Sequence, residues 1–192
     1  MMRQFVSSAG GRRALLSLGG VACAAVLACL VFVPFIHAGT VMTTRASMAY
    51  LCAHAAGGFE SFTAPASPTY LDIPTDHLVY AEIEYARTIG VMQGYPDGMF
   101  HPDVVVNRDQ AAVFVARAAA GGDASVPEGP ATATFPDVPT GYWAYDWIEY
   151  LVSLGVPLDY GDGTFHPSDT VDLFDAVDWL YYATGTYVDP NG

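Results

Sequence analysis

Two arginines at matching positions are the residues of this sequence whose chemistry is easiest to interpret. Arg45 and Arg108 each fall in the first turn of a predicted helix, where the helix dipole makes a cation mildly unfavourable. A guanidinium beside the unpaired backbone N–H groups of such a turn could bind an anion, and its planar fork suits a carboxylate. The alternative is that Arg108 pairs with a nearby carboxylate of the same chain. The sequence leaves both roles open.

Basic residues are scarce in this chain, which makes a repeated arginine informative. The sequence has seven basic and twenty acidic residues. The part after residue 38 holds four arginines against all twenty acids, a formal charge of −16. Such a surface repels nucleic acid and anionic lipid headgroups, so we expect no nucleic-acid partner. We interpret the acidity as favouring solubility outside the cell.

No motif in the sequence predicts an enzyme. A Gly-x-Ser-x-Gly elbow, a His-Glu-x-x-His zinc motif and a phosphate-binding loop are all absent from the sequence. Cys52 and His54 are two residues apart on one predicted helix, so their side chains do not face each other. Cys52 is also the only cysteine beyond the apolar N-terminal run, which argues against a disulfide framework. We predict neither catalytic activity nor a cofactor.

The elements that would position these residues occur twice. Shifting the chain by about 65 residues aligns 70–121 with 135–186 without a gap. Each copy has an Ile-Glu-Tyr segment and a loop of the form Tyr-x-Asp-Gly-x-Phe-His-Pro. Residues 43–57 match the second half of this unit, with Arg45 aligned on Arg108. The chain is therefore an array of helix–loop–helix units, which must pack on one another to bury their apolar faces.

The predicted organisation follows from these copies. Residues 1–38 have the layout of an export signal or a retained membrane anchor, with Arg12-Arg13 before an apolar run over 14–36. That run is long enough to contact or span a bilayer, so cleavage and retention both stay open. Either way, we expect the rest of the chain to be exported. The other predicted segments are a half-repeat at 39–58, a linker at 59–69, a repeat at 70–121, a linker at 122–134, a repeat at 135–186 and a tail at 187–192.

We predict an all-α fold, because the apolar spacing and end signals are those of helices. Asn107 and Gln110 form a capping box at the start of one helix, and Gly90 is positioned to end another. The predicted helices span 43–57, Thr75 or Asp76 to about Ile89, Asn107 to about Ala120, 144–154 and 173–183.

Taken together, these motifs resemble the S-layer homology repeat. The matching pattern is Phe-x-Asp-Val, Trp-Ala, Gly-Val, Tyr-x-Asp-Gly-x-Phe-x-Pro, and Thr-Arg-Ala at the start of a helix. The resemblance implies repeats assembled as a pseudo-threefold helical spindle that holds an exported protein at the cell wall. It further implies binding of an anionic secondary wall polysaccharide, often with pyruvylated sugars. The arginine of Thr-Arg-Ala would then contribute to the grooves between the prongs.

Aromatic and acidic residues near the arginines complete the predicted glycan site. Tyr142 and Trp143 could stack on a sugar face, although burial of Trp143 is the other interpretation. The tyrosines at the two loop turns are open to the same two interpretations, stacking on a sugar or burial. The Asp-Gly pairs of these turns indicate calcium only faintly, because the alternating ligands of a calcium loop are absent, and we predict no metal site. The candidate glycan-binding residues are Arg45, Arg108, Trp143, Tyr142, Tyr95, Asp97, Tyr160 and Asp162.

The sequence also departs from the pattern of that family. Leu173 stands where the two earlier copies have arginine, and Asp172, Asp175 and Asp178 nearby would repel an anionic polymer. The first copy lacks its leading helix and loop, so self-association or another partner could complete it. Our leading hypothesis is envelope anchoring through a wall polysaccharide. The alternative is a structural or vestigial protein, in one version membrane-anchored, that keeps the fold and has lost glycan binding.

Overall fold

The computed structural model describes residues 41–190. This part is all-α, as predicted, with five α-helices, two short 3₁₀ turns and three isolated β-bridges between loops. The helices are α1 Arg45–Ala55, α2 Tyr80–Thr88, α3 Arg108–Ala120, α4 Tyr145–Ser153 and α5 Leu173–Thr184, and the turns are Phe59–Ser61 and Asp123–Ser125. We call α2 and α4 the leading helices and α1, α3 and α5 the trailing helices, from their order within each repeat.

The ends of the trailing helices follow from local sequence signals. The Asn107 side chain accepts a hydrogen bond from the third amide of α3, and the Gln110 side chain accepts one from the Asn107 N–H. This confirms the predicted capping box. Gly121, at φ 73°, and Gly185, at φ 74°, then end α3 and α5 in the left-handed region that glycine enters at little cost.

The start of α2 differs from the prediction. The helix begins at Tyr80 and not at Thr75 or Asp76, because the preceding residues form two consecutive turns. The His77 N–H donates to Pro74 O at 2.9 Å, and the Tyr80 N–H donates to His77 O at 3.0 Å. The second repeat has the same pair of turns before α4. These turns place the side chains at 77 and 78, and those at 142 and 143, beside the first turn of a trailing helix.

The three trailing helices pack against one another, and each leading helix lies on the trailing helix before it. Thus α2 lies on α1 and α4 lies on α3. Trp179 and Leu51 are buried in this bundle, together with Phe100 and Phe165 from the loops after the leading helices. Complete burial of one such side chain contributes roughly 1.5–3 kcal/mol. The loops are therefore held in place by the same core as the helices.

Three backbone hydrogen bonds close the bundle in a ring at the N-terminal ends of the trailing helices. The Thr43 N–H donates to Val171 O at 3.2 Å, the Val171 N–H to Val106 O at 3.0 Å, and the Val106 N–H to Thr43 O at 2.9 Å. All three residues are buried. Because they occupy matching positions in the three copies, the ring marks a pseudo-threefold axis, as the resemblance implies.

Two predicted segments lie at the ends of the chain. The export signal or anchor at 1–38, with its membrane contact through 14–36, lies outside the described residues. Among residues 41–190, no helix has the length and apolarity needed to cross a bilayer. In the tail, Val188 is buried in the core, while Tyr187 beside it is exposed.

Candidate functional site

The Arg108 guanidinium lies buried beneath the loop of the following repeat. Its Nε donates to Phe165 O at 2.8 Å, and its Nη2 donates to Leu158 O at 2.7 Å. The Asp175 carboxylate is 3.5 Å from Nη1. Arg108 therefore has a carboxylate partner within the chain, as the alternative interpretation of the sequence proposed, but at a long distance. Burial lowers the pKa of this guanidinium, while Asp175 opposes that change. The side chain is 4 % exposed and joins α3 to the second repeat.

Arg45 makes the matching contacts one repeat earlier. Its Nε donates to Phe100 O at 2.8 Å and its Nη2 to Gln93 O at 2.7 Å. The guanidinium carbon lies 4.7 Å from the ring centre of Tyr95 and 4.6 Å from that of Phe100. Arg108 has the equivalent neighbours, including Tyr160 at 5.1 Å. Aromatic faces attract a cation, so they offset part of the cost of burying each charge.

The backbone N–H groups beside the arginines also have partners within the protein. The Arg108 N–H donates to Asp169 O at 2.8 Å, and the Asp109 N–H donates to Pro167 O at 3.1 Å. The first two amides of α1 bond in the same way to Val104 O and Pro102 O. The predicted anion site required unpaired backbone N–H groups in these turns. In the structure, these N–H groups donate to backbone carbonyl oxygens instead.

Tyr142 and Trp143, which we call the aromatic platform, lie at the start of the second repeat and share one carboxylate. The Tyr142 Oη donates to Asp109 Oδ2 at 2.6 Å, and the Trp143 Nε1 donates to the same oxygen at 3.1 Å. Burial, and then the bond to Asp109, raise the pKa of Tyr142 to about 12. The Trp143 side chain remains 54 % exposed. The indole is therefore oriented by its N–H and open to solvent on its surface.

The tyrosine, aspartate and histidine of each loop turn form a local cluster. Asp162 Oδ2 lies 3.0 Å from His166 Nε2, and the ring centres of Tyr160 and His166 are 4.5 Å apart. The first loop repeats this cluster with Tyr95, Asp97 and His101. The two aspartates therefore bind their own loops. Among residues 41–190, no group of three or more His, Cys, Asp or Glu side chains is arranged to hold a metal ion.

A groove of about 520 Å³ lies between α1 and the start of the first repeat. Its wall carries Ala46, His77 and Leu78, which occupy the positions of Asp109, Tyr142 and Trp143 in the next repeat. In the next repeat the aromatic platform bonds to Asp109 at these positions, whereas the three residues here are smaller. Neither this groove nor the role of Asp109 was predicted from the sequence. The signal was present in the repeat alignment, because the three positions change together.

Comparison with known proteins agrees with the family resemblance of both repeats. The family model described as S-layer homology domain matches residues 69–112 and 134–177. Cell surface glycoprotein 1 of Acetivibrio thermocellus is 33 % identical over 146 residues, which is 70 % of this chain and 6 % of that protein. The cellulosome-anchoring protein of the same organism is 31 % identical over 96 residues, 50 % of this chain and 20 % of that protein. An S-layer protein of Bacillus licheniformis is 46 % identical over 51 residues, 27 % of this chain and 6 % of that protein. The chain thus spans a small part of these relatives.

Proposed function

Because the chain belongs to the S-layer homology family, we propose that it is a non-catalytic module that binds a cell-wall polysaccharide and holds an exported protein at the bacterial cell surface. The names of the relatives support this proposal, since one is a cellulosome-anchoring protein and others are S-layer proteins. The charge of the chain agrees with a location outside the cell.

The observation that carries the glycan part of the proposal is the aromatic platform. Trp143 presents an exposed indole whose N–H is already bonded to Asp109, so its flat surface is held in one orientation. Rigid aromatic surfaces beside a few oriented polar groups are typical of ligand sites.

The arginines contribute to this proposed site indirectly. Arg45 and Arg108 hold the loops that carry Tyr95 and Tyr160, and their Nε and Nη2 groups bond to loop carbonyls. A direct bond from these nitrogens to the predicted anionic or pyruvylated sugar would have to displace those carbonyls. We therefore place the first sugar contact on the aromatic platform. Contact between a sugar and either guanidinium group stays a prediction, and it requires the loop over that arginine to open.

A second function is favoured by the same burial of the arginines. Contacts that keep both guanidinium groups inside the protein are those of a structural module that has lost its ligand. Leu173 in place of the third arginine favours this alternative as well. In this case the repeats would serve as a scaffold at the cell surface and would bind no polysaccharide.

Co-sedimentation of the full chain with purified bacterial cell-wall sacculi distinguishes the two functions. We expect binding to untreated sacculi and its loss after acid removes the secondary polymer. Trp143→Ala should weaken this binding roughly tenfold, because the stacking surface is removed. The matched control is Leu78→Ala, which changes the equivalent position of the preceding repeat and should leave binding at the platform unchanged.

Absence of binding to either kind of sacculi would favour the scaffold function. Equal effects of the Trp143 and Leu78 substitutions would remove the aromatic platform from the proposed site. Unfolding in urea should be recorded for both variants, since Asp109 loses one hydrogen-bond donor in Trp143→Ala.

A further inference from the structure

Within residues 41–190, one face of α5 has no leading helix packed on it, whereas α2 covers the matching face of α1 and α4 covers that of α3. This face, which we call the open strip, carries Phe174, Asp178 and Tyr182, four residues apart on one side of the helix. Phe174 and Tyr182 are both 55 % exposed. Tyr181, beside them, is 47 % exposed.

The other copies show what these positions contact. Asp109 matches Phe174, and it bonds to Tyr142 and Trp143 just before α4. Arg117 matches Tyr182, and its guanidinium carbon lies 5.6 Å from the ring centre of Trp147 on α4.

The half-repeat gives a second example of the same arrangement. His54 also matches Tyr182, and its Nε2 lies 3.6 Å from Glu82 Oε1 on α2. The open strip therefore faces the position that a leading helix occupies in both neighbouring copies.

The middle of the open strip differs in charge from its counterparts. Asp178 matches Tyr50 in α1 and Val113 in α3, which are both uncharged. At the N-terminal end of the strip, Leu173 replaces the arginine that binds a loop in the other copies. A ligand of this strip therefore contacts two aromatic side chains and a carboxylate. Because Leu173 has no hydrogen-bond donor in its side chain, the ligand does not need carbonyl groups of the kind that accept from Arg45 and Arg108.

We propose that the open strip binds an amphipathic helix of another protein, with apolar residues against Phe174 and Tyr182 and a lysine or arginine against Asp178. The two covered faces provide the geometry, because each holds a nine-residue helix. Charge selects the partner: a second copy would bring Asp178 against Asp178, and both copies carry a large negative charge. A basic helix has the complementary charge.

The test measures binding of two fluorescent peptides to the full chain by anisotropy. Both copy residues 142–156, which include a leading helix, and a lactam bridge holds them helical because short isolated helices are marginal in water. One peptide has the native acidic sequence, and the other carries Asp146→Lys and Glu149→Lys. We expect the basic peptide to bind at least about tenfold more tightly than the acidic one.

Substitutions in the chain locate the site. Asp178→Lys should reverse the preference between the two peptides, and Tyr182→Ala should weaken binding of both. Tyr187→Ala is the matched control, because Tyr187 is an exposed tyrosine (66 %) outside the open strip. It should leave binding unchanged.

Three outcomes would overturn the proposal. They are binding of neither peptide, an unchanged preference in the Asp178→Lys chain, and a dimer of the chain alone that Tyr182→Ala dissociates. The last outcome, measured by sedimentation velocity, would assign the strip to a second copy. None of these results depends on sacculus binding, so the test is independent of the proposed function.

Discussion

Burial of an arginine is costly unless its N–H groups are satisfied, and Arg108 shows how this chain meets that condition. Two backbone carbonyls accept from the guanidinium, and Tyr160, Phe165 and Trp179 surround it. Removal of the side chain would leave both carbonyls buried without their donors. Such groups cost more when unpaired than the original hydrogen bonds contribute.

We therefore expect Arg108→Ala to lower the free energy of unfolding by about 3 kcal/mol. Arg117→Ala is the control, because its pair with Asp123 involves a half-exposed carboxylate and should contribute less than about 1 kcal/mol. Urea denaturation followed by circular dichroism measures both changes. Similar small losses in the two variants would show that the loop carbonyls do not depend on Arg108.

The sequence was sufficient to single out the arginines, but it could not identify what they bind. Their repetition in a chain with few basic residues pointed to a specific role. Their partners, however, are backbone carbonyls 55 and 57 residues away, and a carbonyl leaves no trace in the identity of its residue. The same limit applies to Asp109, whose partners Tyr142 and Trp143 come from the next repeat.

At the scale of elements, the two long loops are ordered by carboxylates that accept backbone N–H groups. Asp137 accepts from the N–H of Phe165 at 3.0 Å and from that of His166 at 2.7 Å. His166 has a φ of 56°, a region that residues other than glycine seldom enter. A hydrogen bond between its ring and Asp162 helps to hold this conformation.

The pH dependence of this loop follows from that pair. The bond to Asp162 raises the pKa of His166, and bonds to Thr164 and then His166 lower the pKa of Asp162 to about 2. The stability that His166 contributes should be complete below the ordinary histidine pKa of about 6.5 and should be lost as the pH rises through the higher folded value.

An NMR titration of the His166 ring checks this expectation. Asp162→Asn should lower the pKa of His166 more than Asp169→Asn does, because the Asp169 carboxylate is farther away, at 3.4 Å from Nδ1. The opposite order would assign the effect to Asp169.

Helix positions were predictable where a cap or a glycine marks the boundary, as at Asn107 and Gly121. The start of α2 was not, because Thr75 and Asp76 are good capping residues that lie in a turn. Local sequence permits a helix there, but the hydrogen bonds from the His77 N–H to Pro74 O and from the Tyr80 N–H to His77 O form turns instead.

At the scale of the whole described bundle, stability depends on the ring formed by Thr43, Val106 and Val171. Each of these residues donates one backbone hydrogen bond and accepts one from a different copy. Opening any one bond exposes the junction of all three copies. We expect this ring to open only when the bundle unfolds as a whole.

Amide hydrogen exchange provides the measurement. The amides of Thr43, Val106 and Val171 should exchange at one common slow rate, set by global unfolding, and Arg108→Ala should speed all three equally. The Thr164 amide, which bonds to an exposed carboxylate in the loop, serves as the control and should exchange faster. A markedly faster rate at one ring amide would show that a copy separates independently.

The repeats were predictable from the alignment of the chain with itself, and their threefold arrangement was implied by the family resemblance. The uncovered face of α5 was only partly predictable. The sequence indicated that a leading helix was missing, but the residues that lie at the vacant position became apparent only from the contacts of Asp109, His54 and Arg117 in the other copies.

Because the three copies are bonded in a closed ring, none of them is first in space. The order of the repeats along the chain is therefore independent of their arrangement around the axis. The Leu173 N–H bonds to Val41 O at 2.9 Å, and Pro190 lines the same groove as Ala46. Both ends of the described bundle thus lie close to the ring. Circular permutation, with a new start in the linker at 122–134, would leave all three ring bonds between the same residues. The topology of this bundle is cyclic, although the polypeptide that forms it is linear.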